Sequence, residues 1–163
     1  LKELAQLIES FPEDNLPIIA SSMRFINLKQ NTSTIYISNE KAPQKGYKSL
    51  DMGIIHPATL VPKSIYKQIG NYDDRFSIMA DIDWFIRACK THQPIYSSTI
   101  VSTNMCYGGI STTSQFKKLY KERTMLYKKH TRNLIEEKLY LSKWCIRHFK
   151  NTLYTKIKSL KHK

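Results

Sequence analysis

The chain has 163 residues, 41% of them hydrophobic, and a formal net charge of +13. That length and apolar share fit one folded domain with its own core and exclude a disordered chain. No apolar run approaches the roughly 20 residues a membrane-crossing helix needs, and the first ten residues read as an amphipathic helix rather than a secretory signal.

The charge is uneven. Residues 1–114 carry 11 basic and 10 acidic side chains, whereas residues 115–163 carry 15 and 3. A near-neutral body over 1–114 and a basic tail over 115–163 are therefore expected, and a partner argument from charge applies to the tail. Cys89, Cys106 and Cys145 are odd in number, far apart and without zinc-type spacing. They read as small buried thiols of a reducing compartment. Because the first residue is Leu, the chain is expected to be a piece of a longer protein.

In chain order, Leu4, Leu7, Ile8 and Phe11 recur at helical spacing, and Pro12 stops that helix. Residues 17–26 begin with a continuous apolar run and predict a strand. Residues 32–38 are rich in β-branched side chains and predict its hairpin partner. Residues 39–50 form a polar loop. A second extended segment is expected over 53–61, with Pro57 forcing His56 out of helical geometry. Residues 62–70 predict a short helix with Gly70 at its C-terminal cap. A helix from Asp81 to about His92 follows, packed through Ile82, Phe85, Ile86 and Cys89. Residues 94–103 predict another strand, and Tyr107 to Ser111 a glycine turn. Everything after Ser114 is free of Gly and Pro and predicts helix. The class is α/β, or α+β if the chain is a fragment, with a partial sheet too small to cover both its faces.

The acidic residues Asp73, Asp74, Asp81 and Asp83 cluster where a loop becomes a helix. A carboxylate there is either a helix cap or a group with a chemical task. Asp83 and Arg87 are four apart and predict a same-face ion pair. His56 stands alone on an apolar segment, either as a satisfied rim histidine or as a ligand contact.

Four pieces occur in order: His56-Pro57-Ala58-Thr59-Leu60-Val61, Ile69-Gly70-Asn71-Tyr72-Asp73, Ala80-Asp81-Ile82-Asp83 with Arg87, and Gly108-Gly109-Ile110-Ser111. Together they resemble the second half of a family 2 glycosyltransferase of the GT-A fold. The resemblance implies inverting transfer of a sugar from a nucleotide-sugar donor to a glycan or lipid-linked acceptor, of the kind used in bacterial cell-surface polysaccharide synthesis. It implies that Asp81 is the general base, with Asp83 orienting Arg87 or the loop. It places His56 at the cleft floor against the acceptor, and Gly108, Gly109 and Ser111 where the cleft closes. It also implies a divalent metal, Mn or Mg, for a full-length enzyme. The Asp-x-Asp ligand motif does not precede Asp81 in this chain, and no His stands near Gly108 as a third ligand. A donor-binding half upstream is therefore expected, and the chain alone is expected not to transfer sugar.

In the tail, Leu141, Cys145, Phe149, Leu153, Ile157 and Leu160 form an apolar stripe flanked by Trp144 and Tyr154, with lysines and arginines around it. This basic amphipathic helix over 141–163 suits the anionic inner face of a membrane. A helix packed on another part of the protein, with solvated lysines, is the plainer reading. Nucleic acid ranks last, because no binding motif accompanies the charge. A cytoplasmic protein, peripheral on the inner membrane face, is expected. A different class stays open: a non-enzymatic basic membrane- or nucleic-acid-binding module in which Asp81 and Asp83 are only caps. A degenerate transferase fragment is a third reading.

Overall fold

A computed structural model describes residues 2–28, 30–41, 53–106, 116–131 and 133–160, and of 151–160 the helical backbone alone. The elements are α1 (Lys2–Glu9), β1 (Ile19–Asn27), β2 (Thr32–Tyr36), β3 (Thr59–Leu60), α2 (Lys63–Ile69), α3 (Ala80–Ala88), β4 (Ile95–Cys106), α4 (Phe116–His130) and α5 (Leu134–Leu160). The chain is a mixed α/β structure with a four-stranded sheet, as the alternation of apolar patterns predicts.

β1 is the strand every other strand meets. β4 runs parallel along one edge, from Ile19 beside Ile95 to Ile26 beside Cys106, with register shifts between Ser21 and Met23. The other edge is divided. β3 pairs antiparallel at Ile19 and Ala20, and β2 pairs antiparallel from Met23 to Asn27. The β1–β2 connection is short, and Asn31 takes a φ of 47° there, which its small polar side chain tolerates. The parallel β1–β4 pairing requires a long crossover, and α2 and α3 lie within it.

Both faces of the sheet are covered at its Ile19 end, contrary to the expectation of a half-bare sheet. Ile18 packs with Ile65, Trp84, Phe85 and Ala88 of α2 and α3. Ile19 packs with Leu4 of α1 and Ile100 of β4. Successive residues of an extended chain point to opposite faces, so α1 and the α2–α3 pair take opposite sides. β2 remains an exposed edge strand.

Three local expectations are corrected. Residues 53–61 are not a continuous extended segment: His56–Ala58 forms a 3-10 turn, and only Thr59–Leu60 pairs. Pro57 at the start of the turn lacks an N–H and suits its φ, and Ala58 N–H closes it on the Ile55 carbonyl at 2.8 Å. The preference against helical geometry before proline is overridden. The third helix ends at Ala88 rather than near His92. The tail is two helices, not one run. Asn133 Oδ1 accepts from the N–H groups of Ile135 and Glu136 at 3.0 and 3.2 Å, a side-chain cap that starts α5 anew.

Helix α4 joins the body. Leu126 and Tyr127 share a core with Phe76, Met79, Ile86 and Cys89, across the boundary that charge alone suggested. Helix α5 folds back on α4, with Phe116 stacked on Trp144 at 5.3 Å and Arg123 over the Trp144 ring at 4.9 Å. Cys89 is buried, Cys145 half-buried and Cys106 exposed, so Cys106 departs from the buried-thiol expectation. After β2, Asn39 N–H donates to the Gly53 carbonyl at 2.9 Å. An open cleft of about 400 Å³, lined by Ile37 to Lys41, Tyr96 and Ser98, lies beside that pinch.

Candidate functional site

The site is built where α2 ends and α3 begins. Gly70 closes α2 with φ 81° and ψ −175°, a conformation available essentially to glycine alone. Its carbonyl accepts from Trp84 Nε1 at 2.8 Å, so the turn is fixed to α3. Asp73 Oδ1 then accepts from Arg75 N–H at 3.1 Å and shapes the next turn.

The first turn of α3 is held from outside. Met79 is its N-cap residue and supplies no side-chain bond. The N–H groups of the three residues leading into α3, Ser77, Ile78 and Met79, are met by Glu122 of α4. Glu122 Oε1 accepts from Ser77 Oγ at 2.6 Å and from Ser77 N–H at 3.3 Å. Glu122 Oε2 accepts from Ile78 and Met79 N–H at 2.9 and 3.1 Å. Burial opposes charge on Glu122, yet these bonds and the hydroxyl prevail and hold its carboxyl below the ordinary range.

Within this frame the two aspartates diverge, because residues two apart on a helix do not share a face. Asp83 is fully buried. It accepts from Arg87 Nε at 3.0 Å, from Lys129 Nζ at 2.7 Å and from His130 Nε2 at 2.8 Å. Burial alone would raise its carboxyl, but the bonds from His130, Lys129 and Arg87 outweigh that and bring it down to about 2. Arg87 also donates to the Ile69 and Asn71 carbonyls, each at 2.7 Å. The expected Asp83–Arg87 pair forms, and it ties α3 to the loop after α2. Lys129 is shared with Asp73 at 2.8 Å. Asp73 is held well below the carboxylate range by Arg75 first and Lys129 second.

Asp81 faces the opposite way. Its side chain is 34% exposed, and Oδ2 lies 3.6 Å from His56 Nδ1. Oδ1 accepts from Ile82 N–H at 2.8 Å. Asp81 lies inside the helix and is not its N-cap. His56 Nε2 stands 3.4 Å from the Tyr72 hydroxyl, which stands 3.1 Å from that of Tyr66. Burial, Tyr66 and the Asp81 charge all raise the Tyr72 phenol, so it stays protonated as a donor. Trp84 lies behind, 4.4 Å from the Tyr66 ring. One accessible carboxylate thus borders an imidazole, two phenols and aromatic faces. Such a set can take a proton from a bound hydroxyl and hold the apolar face of a ring.

His56, Asp81, Asp83 and Arg87 are therefore assembled around one helix start. Gly108, Gly109 and Ser111 lie outside the described residues. Sequence reasoning missed Tyr66, Tyr72, Glu122, Lys129 and His130. A signal existed for Glu122, the single acid between Phe116 and Ile135. Among the described residues no three His, Cys, Asp or Glu side chains converge as metal ligands do. Comparison with protein-family models, curated proteins and solved structures returned no match.

Proposed function

We propose that the chain is the acceptor-side part of an inverting glycosyltransferase of family 2 type, with the GT-A fold. The observation that carries this reading is the division of labour between the two aspartates. Asp83 is sequestered by three cationic or imidazole donors, which leaves Asp81 as the open carboxylate at the α3 start. In the reaction an acceptor hydroxyl oxygen attacks the anomeric carbon of a nucleotide-sugar. The bond from that carbon to the nucleoside diphosphate breaks, and the diphosphate leaves with the bonding electrons. The hydroxyl proton passes to Asp81 Oδ2, and a single displacement inverts the anomeric centre. One base suffices.

His56 holds the Asp81 carboxylate from one side and, with Tyr72, contacts the acceptor. Tyr66 and Tyr72 offer ring faces to a sugar, backed by the fully buried Trp84. Asp83 acts through Arg87, as a positioning residue for the turn that carries Tyr72. The acceptor is a glycan or a lipid-linked saccharide. The Mn or Mg ion of the family belongs to donor binding, for which this cluster supplies no ligand set.

The test is transfer of labelled sugar from a panel of nucleotide-sugars to glycan acceptors, by the protein carrying this chain and by its Asp81→Asn variant. The variant is expected to lose about 10²–10⁴-fold in turnover while its stability stays within about 0.5 kcal/mol. Unchanged turnover would return Asp81 to a local role in the helix, whereas no transfer by either protein would favour a non-enzymatic binding module.

A further inference from the structure

Helix α5 carries two apolar faces, and the α4–α5 contact uses one. Leu141 is buried and Trp144 stacks on Phe116. Of the sequence-expected stripe, Leu141 is buried and Cys145 half-buried, whereas Phe149 is exposed. On the side of the helix opposite Trp144, Ile135, Leu139, Ile146 and Phe149 recur at spacings of four, seven and three, which places them in one line, with Phe149 at its border with the stripe. Their exposures are 72, 56, 56 and 61%. Phe149 also lies against Phe116, with ring centroids 5.3 Å apart, and still shows most of its surface.

The borders of this face are basic. Lys138 lies on one side, Lys143 and Lys150 on the other, and all three are exposed. We propose that this second face docks on an anionic lipid bilayer, with α5 lying in the plane of the interface. An apolar line between rows of lysine matches acyl chains below and acidic headgroups beside them. A second copy of the chain would bring the same lysines against their counterparts. Among the described residues no helix is long and apolar enough to cross a membrane, so the contact is superficial. The docking face begins at Ile135, six residues before the stripe the sequence suggested. This inference is independent of the transferase reading and stands or falls without it.

The test uses the full chain in co-sedimentation with phosphatidylcholine vesicles, with and without phosphatidylserine. Binding is expected only where phosphatidylserine is present. Lys143→Gln and Lys150→Gln should each weaken it about fivefold. The exposed pair Ile146→Ser with Phe149→Ser should weaken it more than about tenfold while the far-ultraviolet circular dichroism stays unchanged. Equal binding to both vesicle types overturns the proposal, as does binding indifferent to the Ile146 and Phe149 changes. It is also overturned by a dimer that those changes dissociate without any vesicle binding, or by duplex DNA binding that needs the lysines alone.

Discussion

Replacing Asp83 by Asn keeps the shape of the side chain and removes its charge from a fully buried position. Three donors then face a neutral amide. Removing one partner of a buried ion cluster costs about 3–5 kcal/mol. The loss belongs at the lower end, because Lys129 keeps Asp73 and Arg87 keeps the carbonyls of Ile69 and Asn71. The pH dependence follows from the same contacts. Holding the carboxyl at about 2 instead of the ordinary 3.8 contributes about 2 kcal/mol at neutral pH. The folded value is the lower one, so that stability is whole above the unfolded value and drains as pH falls through about 2. Urea unfolding followed by circular dichroism should show the variant destabilised by about 3 kcal/mol at pH 7. The gap should narrow by about 2 kcal/mol as pH drops from well above 3.8 to about 2. A deficit below about 1 kcal/mol, or one of the same size at both ends of that range, would refute the idea that ionised Asp83 anchors α4 to α3.

Glu122→Ala strips the cap from three backbone N–H groups and should cost about 2–3 kcal/mol in thermal or urea unfolding; a neutral result would mean water serves those groups equally well. Gly70→Ala meets no atom within 4 Å of the new Cβ, so its expected cost of about 1–3 kcal/mol comes from the backbone conformation alone, and an unchanged urea midpoint would show that the turn relaxes freely. Burial pushes the Cys89 thiol up to about 11, whereas Cys106 is exposed. Mass-mapped labelling by a thiol reagent in mildly alkaline buffer should modify Cys106 first and Cys89 only on unfolding, and equal rates would contradict the packing around Cys89.

Elements with strong local signals were legible from sequence. Pro17 to Ile26 and the β-branched run at Thr32 form the predicted hairpin. Gly70 ends α2 as its position implied, and the Asp83–Arg87 pair follows from helix spacing. What sequence could not carry was the long-range accounting. Whether Asp81 or Asp83 is buried depends on which face α4 covers, and nothing within residues 70–90 records that. Glu122 answers N–H groups more than forty positions earlier, a pairing no periodicity reveals. His56 enters a turn because Thr59 and Leu60 find β1, a tertiary contact that outweighs the local bias before proline. The break between α4 and α5 was readable in principle, since Asn133 followed by Glu136 is a helix-start signature, but uninterrupted helical propensity concealed it.

The bond from Asn39 to Gly53 has a bearing on how such a chain can diversify. It pins both ends of the intervening stretch at one point beside the sheet, so the rest of the fold senses a closed stalk, whatever is mounted on it. Doubling the length mounted there costs only about 0.6 kcal/mol of closure entropy, less than one ordinary core substitution. The point between Asn39 and Gly53 is therefore a natural graft position: selection, or a designed library, can vary the length and chemistry inserted there while α3, its two aspartates and the α4 clamp stay as they are.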